Sequence, residues 1–226
     1  MQNKTTQTLG IYTLLQEIGS GTVGTTFQAV HEEKHVALKR VGEIPMLSME
    51  NIPTVLDKAN SLKNLRHPMI VGLLDAMKQG NHLCFVSEWV EGLSLGQVLQ
   101  RKKLTLFQIG QIGYQIAQGL NHAHRQGVVH GGLHPNNVLL VNGRIDSPQI
   151  KLTDFLLASL LPGDPPTNLL PYLAPEQVAT GRTNARADIY ALGVILYQLV
   201  TDRLPFAPQS TAEAANTAGE PVSVQT

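Results

Sequence analysis

Three glycines stand at the spacing Gly-x-Gly-x-x-Gly in the stretch Ile18-Gly-Ser-Gly-Thr-Val-Gly24. Lacking side chains, such a loop lets backbone N–H groups approach phosphate oxygens. Its plainer reading is a glycine-rich turn. Lys39, in Ala37-Leu38-Lys39, is either a phosphate partner or a solvated strand lysine. Among the histidines, His134 has the chemistry of a proton donor or acceptor. His122 and His124 lie two apart on a helical stretch, a spacing that does not share a metal face. The single cysteine, Cys84, excludes an internal disulfide and a cysteine-based zinc site. It fits a reducing compartment and reads as a buried strand residue without a redox role.

These residues must be held by a folded scaffold, and the composition supplies one. Hydrophobic residues make up 42% and charged residues 15% of 226, a globular balance in a chain long enough to bury a core without staples. Lys plus Arg and Asp plus Glu are 17 each, with no excess in either half. That argues against a nucleic-acid binder or a membrane-surface protein. The longest mainly apolar run, Ala191–Val200, is far short of the roughly 20 residues of a membrane span. The polar start MQNKTTQT lacks the apolar core of a signal peptide. The expectation is a cytoplasmic protein.

Tyr12–Ala29 reads as a hairpin around the glycines, and His35–Val41 as a third strand. Leucines and small residues at helical spacing predict a helix within Met46–Leu65, stopped at Arg66-His67-Pro68. Val71–Leu74 and Leu83–Val90 read as two further strands. After Glu91-Gly92 the pattern turns helical, over Leu93–Gln100 and Leu106–Gly127. The second of these carries Ile109, Ile112, Ile116 and Leu120 on one face. Val138–Val141 and Gln149–Thr153 are short strand candidates, and residues 156–171 a loop. Asp188–Val200 is apolar nearly all round and belongs in the middle of a core. Ala207–Thr226 has no aromatic and no Lys or Arg, and reads as a disordered tail.

Read in order, the glycine stretch, Ala37–Lys39, His67-Pro68-Met69-Ile70-Val71, Val129-His130 with Asn137, Asp154-Phe155, Ala174-Pro175-Glu176 and Asp188–Gly193 match the protein-kinase signatures. From about Tyr12 to Phe206 the chain resembles bacterial serine/threonine protein kinases of the eukaryotic-like type. The resemblance implies an α+β, protein-kinase-like bilobal fold. A β-rich N-lobe with one helix (11–90) would meet an incomplete helical C-lobe (91–206), between a flexible 1–10 and the tail 207–226. ATP would lie between the lobes, against Ile18, Gly19, Gly21, Gly24, Ala37, Lys39, Glu88, Val90 and Leu139. Glu88-Trp89-Val90 would be the hinge and Ser87 the gatekeeper. Asn137 and Asp154 would hold Mg²⁺, as hard oxygen ligands. Leu62, Leu73, His130, Phe155 and Asp188 would form the internal spine.

Against that pattern, several reactive groups are missing. The catalytic loop reads His130-Gly131-Gly132-Leu133-His134-Pro135-Asn136-Asn137. The aspartate that would serve as base is Gly132, and the lysine that would steady the γ-phosphate is His134. The helix glutamate expected to anchor Lys39 falls on Lys58, beside Asp57; Asp154 is then the remaining partner for Lys39. The Asp-Phe-Gly motif ends in Leu156, and Leu169 replaces the threonine before Pro171-Tyr172. Scaffold kept and reactive groups absent is the pattern of a pseudokinase.

The leading expectation is therefore a catalytically inactive kinase-like module that takes ATP and Mg²⁺, if any cofactor, and acts through protein contacts in signalling. The alternative is a kinase-fold enzyme with weak or altered phosphotransferase chemistry, using His134. A third reading is a decayed frame without folded function. An apolar helix left partly uncovered by a shortened C-lobe implies a protein partner or self-association.

Overall fold

The computed structural model describes residues 7–21, 24–41, 52–155, 165, 167–206, 211 and 214. They form two compact units: the chain up to Arg66 with Val71–Val90, and His67–Ile70 with the chain from Glu91 on.

The first unit is built on a six-stranded sheet. Its strands are β1 (Thr8–Leu9), β2 (Tyr12–Gly21), β3 (Gly24–His31), β4 (Lys34–Val41), β5 (Leu73–Gln79) and β6 (His82–Glu88), in the order β1-β2-β3-β4-β6-β5. Every neighbouring pair is antiparallel. Alternation along the strands sends Phe27, Ala29, Val36, Leu38, Cys84 and Val86 to one face, where they form a core with Leu9, Tyr12 and Leu14. Cys84 is fully buried, and burial pushes its thiol pKa up, so the thiol stays protonated there. The β3–β4 turn is made by Glu32 and Glu33, both in the left-handed region (φ 46° and 65°). A two-residue hairpin turn demands that geometry, and glutamate meets it under strain. Helix α1 (Ile52–Leu62) buries Ile52, Val55, Ala59 and Leu62. Its expected beginning at Met46 lies outside the described residues.

The second unit holds a small antiparallel sheet of β7 (Gly92–Ser94), β8 (Val138–Val141) and β9 (Ile150–Leu152), in that order. Helix α2 (Leu95–Leu99) starts at a capping box of Ser94 and Gln97. Helix α3 (Leu106–Arg125) starts at another, of Thr105 and Gln108. The face expected from spacing is the one buried: Ile112, Ile116 and Leu120 are fully so and Ile109 is 5% exposed. Gln115 of α3 fixes the start of β9, accepting from Ile150 N at 3.0 Å and donating to Pro148 O at 2.7 Å. Three short elements escaped the sequence reading: β1, a paired strand within the expected flexible 1–10, β7, read as helix, and α4 (Pro175–Thr180). Helix α5 (Ala185–Thr201) is capped by Asn184 and buries Ala187, Asp188, Ala191, Leu192, Val194, Ile195 and Leu199. Ile189 and Val200 on the same helix remain more than half exposed. Most of the expected tail lies outside the described residues. Ala214 is an exception: it is buried against Leu169, Leu170 and Leu173.

Candidate functional site

In the first unit the strand register collects the expected nucleotide residues. Ala37 and Lys39 are two apart on β4 and share a face, the one opposite Val36 and Leu38. Thr26 of β3 and Phe85 of β6 stand across from Lys39, while Gln28 and Ser87 stand across from Ala37. On β2, Gly19 pairs with Thr26. Gly19, Thr26, Lys39 and Phe85 thus make one rung across four adjacent strands.

The glycines differ in what they do. Gly24 has φ +151°, and a Cβ there would run into the backbone carbonyl of Arg40, so the hairpin itself requires glycine. A Cβ on Gly19 would meet nothing within 4 Å. The fold leaves that backbone open on one side, as close approach by a ligand requires. Gly21 pairs with Gly24, and residues 22–23 lie outside the described residues. Ile18 is 42% exposed beside them.

The strand leading to the expected hinge is tied locally. Glu88 N donates to Gly72 O at 3.0 Å, and Gly72 N donates back to Glu88 Oε1 at 3.0 Å. Val90 follows, half-buried. Among the described residues, α1 buries no carboxylate. Lys58, at the expected glutamate position, and Asp57 both lie on the exposed face of α1, and the buried positions are apolar. A shift of register along this helix finds no buried acid either, because Asp57 is its only one.

In the second unit, the segment His130–Asn137 is held almost entirely through its backbone. Asp188, 1% exposed, accepts from His130 N and Gly131 N at 2.8 Å each. His124 Nε2 meets the same carboxylate at 2.7 Å. Gln177 Nε2 donates to Gly131 O at 2.6 Å, and Asn137 Nδ2 donates to Gly132 O at 3.0 Å. Gly131 sits at φ +77°, where a side chain is strained. The buried dipeptide Gly131-Gly132 therefore offers no side chain at all where the family carries its acid–base group.

His130 is fully buried, its ring 4.6 Å from that of Phe155. Neither ring nitrogen meets a partner at hydrogen-bonding geometry. Burial pushes its pKa down, against an upward pull from Asp188, Asp154 and nearby backbone carbonyls. It is a neutral packing residue. His134 accepts from Asn136 N at its Nδ1 (3.2 Å) and so caps the short turn Pro135–Asn137. In that tautomer the proton is on Nε2, and the lone pair that would take a proton is already engaged. Its ring lies 6.2 Å from that of Tyr172. The Tyr172 hydroxyl donates to Gln198 Oε1 at 2.6 Å, and burial pushes its pKa up to about 12.

Asn137 and Asp154 are brought together by backbone. Thr153 N donates to Asn137 O at 3.0 Å, so the residue before Asp154 is fastened to Asn137. Asp154 itself is held in the left-handed region at φ +65°. Since Asn137 Nδ2 is used on Gly132 O, its Oδ1 is the atom left to ligate. One amide oxygen and one carboxylate are donors that suit Mg²⁺. Leu139 follows on β8, half-buried between Ser94 and Lys151. Leu156, the altered end of the Asp-Phe motif, lies outside the described residues. Sequence reasoning missed Gln177 and His124 as supports of the loop, because their links span 46 and 64 residues and no spacing rule connects them.

Comparison with known proteins places these features. A model of the protein kinase domain matches residues 12–224. The serine/threonine-protein kinase PrkC of Bacillus subtilis is 31% identical over 215 residues, covering 91% of this chain and 33% of the relative. The serine/threonine-protein kinase ULK3 of Xenopus laevis is 29% identical over 210 residues, covering 89% of this chain and 44% of the relative. The chain thus spans less than half the length of these curated relatives. Among solved structures, the kinase domain of Mycobacterium tuberculosis PknI superposes with a TM-score of 0.77 at 23% identity, covering 98% of this chain and 82% of that one. That likeness establishes the α+β protein-kinase-like fold. Together with the family match over nearly the whole length, it shows that the chain belongs to the protein kinase family.

Proposed function

We propose that this chain is a catalytically inactive kinase-like module that binds ATP with Mg²⁺ and works through protein contacts in signalling. The observation that carries the inactivity is the Gly131-Gly132 dipeptide, buried and fixed by Asp188, Gln177 and Asn137. No side chain there can accept the proton of an attacking hydroxyl. A positioned general base is typically worth about 10²–10⁴-fold in rate.

Support for nucleotide binding comes from what is kept. Lys39 supplies a cation on the strand face beside Gly19, whose backbone is open to a phosphate. Asn137 and Asp154 would hold Mg²⁺, which supplies charge neutralisation on the phosphates when bound. Support for a contact-based role comes from large apolar side chains left exposed: Leu106, Phe107 and Tyr114 on α3, and Ile189 and Val200 on α5.

A second reading, a kinase-fold enzyme with weak or altered phosphotransferase chemistry, draws on the same retained groups and would need His134 as acid or base. The engagement of His134 Nδ1 by Asn136 N weighs against it. A thermal-shift titration with ATP, with and without Mg²⁺, tests the binding half of the proposal. A melting temperature that rises only with both, and not in Asp154→Ala, is the expected result. A melt indifferent to ATP and Mg²⁺ would overturn nucleotide binding.

A further inference from the structure

We propose that His67 and His122 form a pH-responsive latch that holds the segment His67–Ile70 on helix α3 while both rings are neutral. The two rings stack, with centroids 4.6 Å apart and planes 29° from parallel. Each ring also accepts a hydrogen bond that only a neutral imidazole can accept at that nitrogen. Met69 N donates to His67 Nδ1 at 3.2 Å, and Gln126 Nε2 lies 2.8 Å from His122 Nε2 as its donor. Protonating either ring ends its acceptor bond, and protonating both sets two cations face to face.

The segment that this stack fastens also reaches β9. Met69 O accepts from Leu152 N of β9 at 2.8 Å, Ile70 is 3% exposed, and Ile70 bridges to Leu152. Along the chain, the segment is preceded by α1 and followed by β5, so it is where the chain passes from one compact unit to the other and back.

The charges on the surrounding elements do not favour the protonated forms. On α3, Arg125 and His124 share the last turn with His122, and His124 is committed to Asp188. Strand β9 carries Lys151 beside Leu152, and Arg66 precedes His67 in the chain. Among the described residues, no carboxylate forms an ion pair with either ring. Burial, and then the facing His122, push the His67 pKa below its ordinary value of 6.5. The contribution of His67 to this contact is therefore present above that value and is lost as pH falls below it.

Amide hydrogen exchange of the whole chain, corrected for intrinsic rates, tests the latch. In the wild type, protection of the Leu152 and Ile70 amides should fall about tenfold or more between about pH 7.5 and about pH 5. In His122→Phe, which keeps a stacking ring but leaves only His67 of the pair to titrate, that fall should be clearly smaller than in the wild type. Protection independent of pH in the wild type, or an equal fall in His122→Phe, would overturn the proposal. If the variant does not fold, an NMR titration of the wild-type ring protons decides. The His67 ring should titrate below an unstructured histidine, and titration of His67 at or above that value would overturn it equally.

Discussion

Asp188 shows how one side chain can organise a loop built on the dipeptide Gly131-Gly132. Its carboxylate gathers two backbone N–H groups and His124 in a site that is 1% exposed. Asp188→Ala would leave those donors buried without an acceptor, at about 1–3 kcal/mol for each unsatisfied group. A loss of about 3 kcal/mol or more in urea unfolding is expected, and an unchanged midpoint would contradict the assigned role. The glycines separate in the same way. Gly24→Ala forces a Cβ against the Arg40 carbonyl and should lower the melting temperature clearly. Gly19→Ala meets open space, so it should leave the melt nearly unchanged while weakening ATP binding in a titration. At this scale a motif singles out Lys39, Asn137, Asp154 and Gly132 from the sequence alone, and the roles proposed for them rest on that match. The sequence was silent on Gln177 and His124, whose roles exist only through contacts distant in sequence.

Among the elements, periodicity was a reliable guide wherever a helix buries one continuous face. The isoleucine face of α3 was legible because 3.6-residue spacing brings Ile109, Ile112, Ile116 and Leu120 into line. Ile116→Ala, at a fully buried position, should cost about 2–5 kcal/mol in chemical denaturation. Strand β7 was misread as helix because its three residues are too few to show alternation and the capping Ser94 closes it at once. Helix α4 was missed for a related reason, having six residues and no buried side chain. The β3–β4 turn is a different case: nothing in Glu32-Glu33 signals two residues at positive φ. Asn-Gly in their place fits that turn without strain. The double replacement should raise stability by about 1–2 kcal/mol, read as a higher urea midpoint.

For the whole molecule, acid should be the weak side. His130 is fully buried and pushed below its ordinary pKa of 6.5 chiefly by burial, so its neutral form favours the folded state. The unfolded chain binds that proton more readily. Stability should thus be fullest above about pH 6.5 and decline as pH falls below it. Urea midpoints measured across that range should drop more steeply for the wild type than for His130→Phe, which keeps an aromatic ring against Phe155. Equal slopes would remove His130 from the account. The division into two compact units follows the change from strand-rich to helix-rich sequence near Glu91, apart from His67–Ile70, whose place with α3 and β9 no local pattern announces. We propose a kinase fold that binds ATP with Mg²⁺ and transfers no phosphate because Gly132 stands in the place of the base. The measurement that meets this proposal most directly is transfer of labelled γ-phosphate from ATP, to water and to protein, by the purified chain with Mg²⁺. The account predicts no transfer above the uncatalysed background, and none gained or lost in His134→Ala. Transfer that depends on Mg²⁺ and disappears in Lys39→Ala or Asp154→Ala would contradict it.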